Sequence, residues 1–226
     1  MKKLLLLAAL ILVVGLCFAQ DNGEEAAAPA KPERLDLELS AGFPVHWTNI
    51  ADKHQGLDER EVTANTALGV SLLFNFSRKF GLTLDTDFFY GGEVAGLSGS
   101  SSQSGSLFGA NVLLGAVIYL YNGSFLRIPL AIGGHMYYYS EDLWIPDLGG
   151  PQANWVKTRD LQVGPGASLG VQFHFNDSIY IFSRTNVAVD IFRWHTAKGV
   201  GVPSVSETEL ILGWEVKPSV GLGIKF

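Results

Sequence analysis

The sequence predicts an all-β protein, an eight-stranded antiparallel transmembrane β-barrel. Apolar and polar residues alternate along most of the chain, short connections alternate with long ones, and the apolar residues are plentiful but dispersed. Of the 226 residues 47% are hydrophobic, yet after the N-terminus no apolar run approaches the ~20 residues that a spanning helix needs. Because only helices and closed barrels satisfy their backbone hydrogen bonds in hydrocarbon, a barrel remains.

The N-terminus predicts export. Lys2 and Lys3 precede an uninterrupted apolar run from Leu4 to Val14, and Ala19 offers a small residue for cleavage. This pattern is typical of a secretory signal peptide, here residues 1–19. Residues 20–33 are rich in Glu, Ala and Pro, which predicts a disordered periplasmic lead-in, and residues 34–226 form one barrel domain.

Two alternatives exist for the N-terminus: acylation of Cys17 as in a lipoprotein, which the large Leu16 disfavours, and a retained anchor, which the short run disfavours. Cleavage after Ala19 would remove Cys17, the only cysteine, and with it any disulfide, zinc–thiolate site or thiol nucleophile. It would also remove Lys2 and Lys3, which takes the formal net charge from −6 to −8. This acidity argues against nucleic acid as a partner.

Eight segments show the period of two that is typical of strands with one apolar and one polar face. They cover residues 35–47, 62–76, 80–90, 108–120, 126–136, 161–175, 179–191 and 210–226. The seventh is the weakest, since Ser183 and Thr185 interrupt its apolar side. A soluble, lipocalin-like barrel is the structural alternative, and it would need the apolar residues inside and charged residues such as Asp85 and Asp87 outside.

The connections differ in length at the two ends. Residues 77–79, 121–124 and 176–178 read as tight turns, whereas 48–61, 91–106, 140–160 and 195–207 read as long loops. Transmembrane barrels have short periplasmic turns and longer extracellular loops. An even number of strands then places both termini in the periplasm.

The last strand carries a resemblance. Its outward residues run apolar to the final position of the chain, ending in Val220, Leu222, Ile224 and Phe226. This pattern resembles the C-terminal strand of bacterial outer-membrane β-barrels, and the chain from residue 34 onward resembles the small barrels of the OmpA, OmpX and OmpW type. The resemblance implies a place in the outer membrane. It also implies outer-membrane lipid and the barrel-assembly machinery as partners. In that family the machinery recognises the C-terminal strand.

The inward positions carry charges, which in a barrel this narrow must be paired or hydrated. The predicted polar network of the lumen consists of Asp36, Glu38, Asp85, Asp87, Arg127, Arg184, Asp190, Glu215, Lys217 and Lys225. If the first strand meets the last, Lys225 lies beside Asp36 and Glu38. Arg184 lies on the strand next to that of Glu215 and Lys217. Both a structural plug and a narrow polar conduit are consistent with the pattern, because many inward glycines would leave space.

The loop 140–160 is unusually apolar for a segment facing water. Exposed apolar clusters often mark binding surfaces, so the candidate binding residues are Trp144, Ile145 and Trp155. Alternatively, these residues fold over the barrel mouth or contact lipid headgroups.

Catalysis is not supported by the sequence. His46, His54 and His195 lie near the extracellular rim, but no spacing distinguishes a catalytic triad, and His135 and His174 fall at opposite ends of the lumen. We therefore expect no enzymatic activity, no cofactor and no metal. The predicted function is that of a structural or surface-interaction scaffold whose loops meet an extracellular ligand or a host surface. The alternative is a narrow channel for small or apolar solutes, as the OmpW-like resemblance implies.

Overall fold

The computed structural model describes residues 34–52, 57–90, 93–96, 103–144, 155–199 and 202–226. The predicted signal peptide and periplasmic lead-in lie outside the described residues. Within those ranges no helix is long and apolar enough to span a bilayer. The described residues form strands β1 Arg34–Gly42, β2 Val45–Asp52, β3 Leu57–Ala64, β4 Ala67–Asn75, β5 Phe80–Tyr90, β6 Glu93–Gly96, β7 Gln103–Asn122, β8 Leu126–Trp144, β9 Trp155–His174, β10 Ile179–Gly199 and β11 Val202–Lys225.

The strands close into a barrel of eight antiparallel passes. The ring runs β1-β4-β5-β7-β8-β9-β10-β11, and β1 pairs with β11 from Asp36 opposite Lys225 to Gly42 opposite Ser219. β2 continues the first pass beyond a break at residues 43–44 and also pairs with β11. β3 and β4 share the second pass, and β5 and β6 the third. The predicted fold class is confirmed.

The two faces of the sheet have opposite chemistry. Lipid-facing side chains are apolar and exposed, as Leu68 and Leu114 show at 68% and 61%. Lumen-facing Asp85 and Asp87 are buried at 1% exposure each. A soluble barrel would have the reverse arrangement, and exposing this much apolar surface is stable only against hydrocarbon. The barrel therefore spans a membrane.

One end of the barrel carries short turns and both ends of the described domain. Phe80 N–H donates to Ser77 Oγ at 2.9 Å, and Ile179 N–H donates to Asn176 Oδ1 at 2.8 Å, which are side-chain bonds of the kind that stabilise tight turns. Phe226 N–H donates to the carbonyl of Leu35 at 2.9 Å, which ties the chain end to β1. We call this the lower end and the opposite one the upper end.

The connections at the upper end are shorter than predicted, because the strands extend into the segments that the sequence predicts as loops. β2 and β3 continue to Asp52 and restart at Leu57, β8 and β9 extend to Trp144 and from Trp155, and β10 and β11 extend to Gly199 and from Val202. β10 and β11 have 21 and 24 residues, about twice the 9–11 that a tilted strand needs to cross. The alternation of apolar and polar residues ends at the edge of the lipid layer, whereas the hydrogen-bonded pairing of the strands continues beyond it. For that reason the sequence pattern ends before the strand does.

Candidate functional site

Arg184 lies at the centre of the lumen. Projecting from β10, it donates to Glu38 Oε2 at 2.9 Å and to Asp85 Oδ1 at 3.2 Å, and so joins β1 and β5 across the barrel. It also donates to Ser71 Oγ at 2.8 Å. Asn186 donates to the other oxygen of Asp85 at 2.7 Å. These charge-assisted bonds hold the guanidinium in one geometry.

Lys217 forms the second crossing. Its ammonium contacts Asp87 and lies 3.5 Å from Asp85 Oδ2, which links β11 to β5. Lys217 is only 1% exposed. The predicted inward position is confirmed for both cations. Arg184 lies on β10 next to β11, the strand of Glu215 and Lys217, as predicted. Its ion pairs, however, are with Glu38 and Asp85, because contacts in a narrow barrel are made across the lumen as well as along the sheet.

Below this layer lies an aromatic layer. Tyr180 donates to Glu38 Oε1 at 2.8 Å, and Lys225 Nζ lies 5.4 Å from the Tyr180 ring centroid. Lys225 is the Cα partner of Asp36, as predicted from first-to-last closure. Arg127 lies 6.0 Å over the Tyr119 ring. A cation over the face of an aromatic ring is attracted to it, so these contacts between cations and rings stabilise the packing at the lower end of the lumen.

Above the central layer is a histidine cluster. Asp190, at 0% exposure, lies 3.0 Å from a ring nitrogen of His46 and 3.0 Å from one of His135. His135 Nε2 lies 3.7 Å from Glu215, and His46 stacks on Tyr137 with centroids 4.2 Å apart. The inward alternation predicted Asp190 and Glu215 correctly. His135 also lies in the lumen, as predicted, whereas His46 was predicted near the rim and is instead buried beside Asp190. The alternation did not show that these residues contact one another.

A fourth cluster, of charged side chains at the upper rim, is not predicted by the sequence. Arg193 contacts Asp160 and lies 3.2 Å from Glu209, and His195 Nδ1 lies 2.9 Å from Asp160. The pairing of β10 shifts between Asp190 and Phe192. This β-bulge changes which residues face inward, from even numbers below it to odd numbers above it. Strict alternation, extended upward from Asp190, therefore assigns Arg193 and His195 to the wrong face.

The inward glycines accommodate neighbouring side chains and leave little free space. A side chain at Gly109 would overlap the ring of Phe89, and one at Gly223 would overlap the ring of Tyr180. A cavity of about 20 Å³ lies beside Arg184 and Ser168, which is room for about one water molecule. The prediction that inward glycines leave free space in the lumen is wrong at Gly109 and Gly223, because the rings of Phe89 and Tyr180 occupy the space next to them.

The other predicted residues lie apart from the lumen. Val220, Leu222, Ile224 and Phe226 are exposed on the lipid face at 60%, 56%, 43% and 70%; their role in assembly stays a prediction. Trp144 ends β8 and Trp155 begins β9, and the two are Cα partners in a sheet. The prediction that they lie in a loop is therefore wrong, since both are strand residues. Ile145 lies outside the described residues. Among the described residues no group of His, Cys, Asp and Glu has a metal-binding arrangement.

Replacing Asp190 by Asn is expected to lower the free energy of unfolding by about 1–3 kcal/mol. The hydrogen bonds that the charged carboxylate makes with His46 and His135 are lost, and both histidines stay buried with a weaker partner. Urea unfolding of the refolded protein in lipid vesicles, followed by tryptophan fluorescence, measures this. Glu209→Gln is the control. Its carboxylate is 33% exposed, so we expect less than about 1 kcal/mol. Equal losses at the two positions would contradict a structural role for the buried cluster.

The comparisons with known proteins concern the fold. No protein-family model matches the chain, and no curated protein matches it. The outer membrane protein OprG from Pseudomonas aeruginosa is similar in structure with a TM-score of 0.62 at 14% identity, covering 87% of this chain and 97% of that one. The outer membrane protein AlkL gives a TM-score of 0.55 at 13% identity, with 92% and 96% covered. The chain therefore has the fold of the small eight-stranded bacterial outer-membrane β-barrels.

Proposed function

We propose that this protein is a closed barrel of the bacterial outer membrane with both termini in the periplasm. It acts as a structural or surface-interaction scaffold that presents its upper segments outside the cell. We further propose that it has no enzymatic activity. The rim residue His195 and the lumen residue His46 each lie at hydrogen-bonding distance from a buried carboxylate, which suits a structural role.

The observation that carries this proposal is the double crossing of the lumen. Arg184 bridges Glu38 and Asp85, and Lys217 bridges Asp85 and Asp87. Moving any of these charges aside would leave a partner buried and uncompensated, which costs several kcal/mol. A permeating solute would have to displace them. The channel alternative, for small or apolar solutes, is therefore the weaker one.

The upper strands support the scaffold part of the proposal. β8, β9, β10 and β11 are paired up to Trp144–Trp155 and Gly199–Val202, well beyond the lipid-facing apolar rows. The rim cluster of Arg193, Asp160 and Glu209 lies within this extension. Function in such proteins is commonly carried by segments that a rigid scaffold positions. Here the paired strands themselves extend to Trp144 and Trp155, the described residues on either side of 145–154.

Planar-bilayer recording of the refolded protein tests closure. We expect no discrete conductance steps from protein that a heat-dependent gel shift shows to be folded. The double variant Asp87→Ser/Lys217→Ser is the matched control, since it removes both partners of one crossing and leaves Asp85 paired with Arg184. Steps in this variant alone would support the plug. Reproducible steps from the unchanged protein would overturn the closed-barrel proposal.

A glycan array probed with fluorescently labelled refolded protein tests the surface part. We expect binding that is lost when residues 145–154 are replaced by a Gly-Ser linker of equal length. Because β8 and β9 pair up to Trp144 and Trp155, this exchange preserves the described strands, which deletion of 140–160 would not. Equal binding by both forms, or none by either, would count against glycan recognition through this segment.

A further inference from the structure

Three cations form a group on the outer surface near the upper end. Lys157 and Arg159 are exposed on β9, and Lys198 is exposed on the neighbouring β10. They belong to the lipid-side face of the barrel, since Thr158 and Asp160 between them are buried. In a chain with formal net charge −6, three cations on adjacent strands are an exception. We call these three residues the basic patch.

The basic patch is unfavourable for the protein alone. Lys157 and Lys198 are direct Cα partners across β9 and β10, and like charges directly opposite each other destabilise a sheet. Among the residues that the structure describes, Lys157 has one acidic neighbour, Asp142 at 3.6 Å. Within the described chain neither Arg159 nor Lys198 forms an ion pair, and the cross-strand partners of Arg159 are the uncharged Thr196 and Ser140. An external anion would relieve this repulsion.

The position of the basic patch identifies the source of that anion. Two residues below Arg159 on the same face is Leu161, whose cross-strand partners are Tyr138 and Trp194. Trp194 is 41% exposed and stacks with the exposed Phe192 at 6.4 Å. Tyr and Trp collect at the boundary between hydrocarbon and headgroups. Arg159 thus lies roughly 7 Å along the strand above this boundary, and flexible lysine side chains can reach down toward it.

We propose that Lys157, Arg159 and Lys198 bind the phosphate groups of an anionic lipid in the surrounding leaflet, with acyl chains against Leu161 and Trp194. Arg159 donates two parallel hydrogen bonds to phosphate oxygens. The two lysines, which repel each other across the strands, share the remaining negative charge. This inference does not depend on whether the lumen is closed. It requires only that the barrel span a membrane.

The probe is diphosphorylated lipid A, added to the refolded mature protein in micelles of a neutral detergent and counted by native mass spectrometry. We expect Lys157→Gln/Arg159→Gln/Lys198→Gln to bind it at least tenfold more weakly than the unchanged protein. Arg78→Gln/Lys79→Gln, which removes two exposed cations at the lower end, should bind as the unchanged protein does. Lipid A without its phosphates should bind the triple variant and the unchanged protein equally.

A second measurement separates lost binding from lost folding. In neutral detergent the triple variant should unfold at the same temperature as the unchanged protein or higher, since repulsion is removed. Added lipid A should raise the unfolding temperature of the unchanged protein more than that of the variant. Equal lipid affinity in the two proteins, an equal loss in the lower-end control, or competition by millimolar inorganic phosphate would each overturn the proposal, the last by indicating a site for free anions.

Discussion

Replacement of Lys217 by methionine is expected to destabilise the barrel by about 3–5 kcal/mol, the typical result of removing one partner of a buried pair. Lys217 is the contact of Asp87 and lies 3.5 Å from Asp85. Asp85 keeps Arg184 at 3.2 Å, but Asp87 becomes an uncompensated carboxylate at 1% exposure. Reversible urea unfolding in vesicles gives the free energy of unfolding.

The matched control removes the charge on both sides. Asp87→Asn/Lys217→Met leaves no unpaired ion at this crossing, so its loss should be smaller by at least about 1 kcal/mol, because a neutral group is less costly to bury than a charge. If the single and double variants lose the same stability, the contact between Lys217 and Asp87 is not what stabilises the lumen, and this prediction is wrong.

Substitution of Leu114 by arginine is expected to cost about 2–4 kcal/mol, as for a charge on the lipid face near the bilayer midplane. Leu114 is 61% exposed and lies midway along the outward apolar residues of β7, which run from Phe108 to Leu120. Its cross-strand partner is Leu84. The same unfolding assay in vesicles measures the effect.

Leu120→Arg is the matched control for depth. It changes the same residue type on the same face of β7 at 60% exposure, but near the lower turn, where an arginine reaches the headgroups and costs about 0–1 kcal/mol. A similar loss at both positions would mean that burial depth in lipid does not order the cost, contrary to a barrel that spans the membrane along β7.

The sequence was sufficient to predict the fold because a barrel in lipid exposes one face of every strand to hydrocarbon. The alternation of β4 is therefore visible residue by residue, as buried and exposed positions alternate from Ala67 onward. Ser183 and Thr185, which interrupt the pattern, are exposed as their positions require. The turns at the lower end also follow from local signals, such as Asn176 accepting from Ile179.

The pairing inside the lumen could not be predicted in the same way. Alternation determines that Arg184 points inward, but its partner Glu38 is 146 residues away, and strand tilt and stagger decide which inward residues meet. The bulge after Asp190 has no sequence signal in the alternation itself. It moved Arg193 and His195 into the lumen, and with them a rim cluster that the pattern alone assigns to the outside.

The charges that cross the lumen are divided between the two ends of the chain. Asp36, Glu38, Asp85 and Asp87 come from the first three passes, whereas Arg184, Lys217 and Lys225 come from the last two. For these pairs the N-terminal half of the barrel wall therefore supplies the carboxylates and the C-terminal part supplies the cations. These groups meet only when β1 pairs with β11, so ring closure and charge neutralisation are one event. Before the ring closes, we expect the early passes to present Glu38, Asp85 and Asp87 without their cations. Early strands of two chains would then repel each other, which favours joining the two ends of one chain.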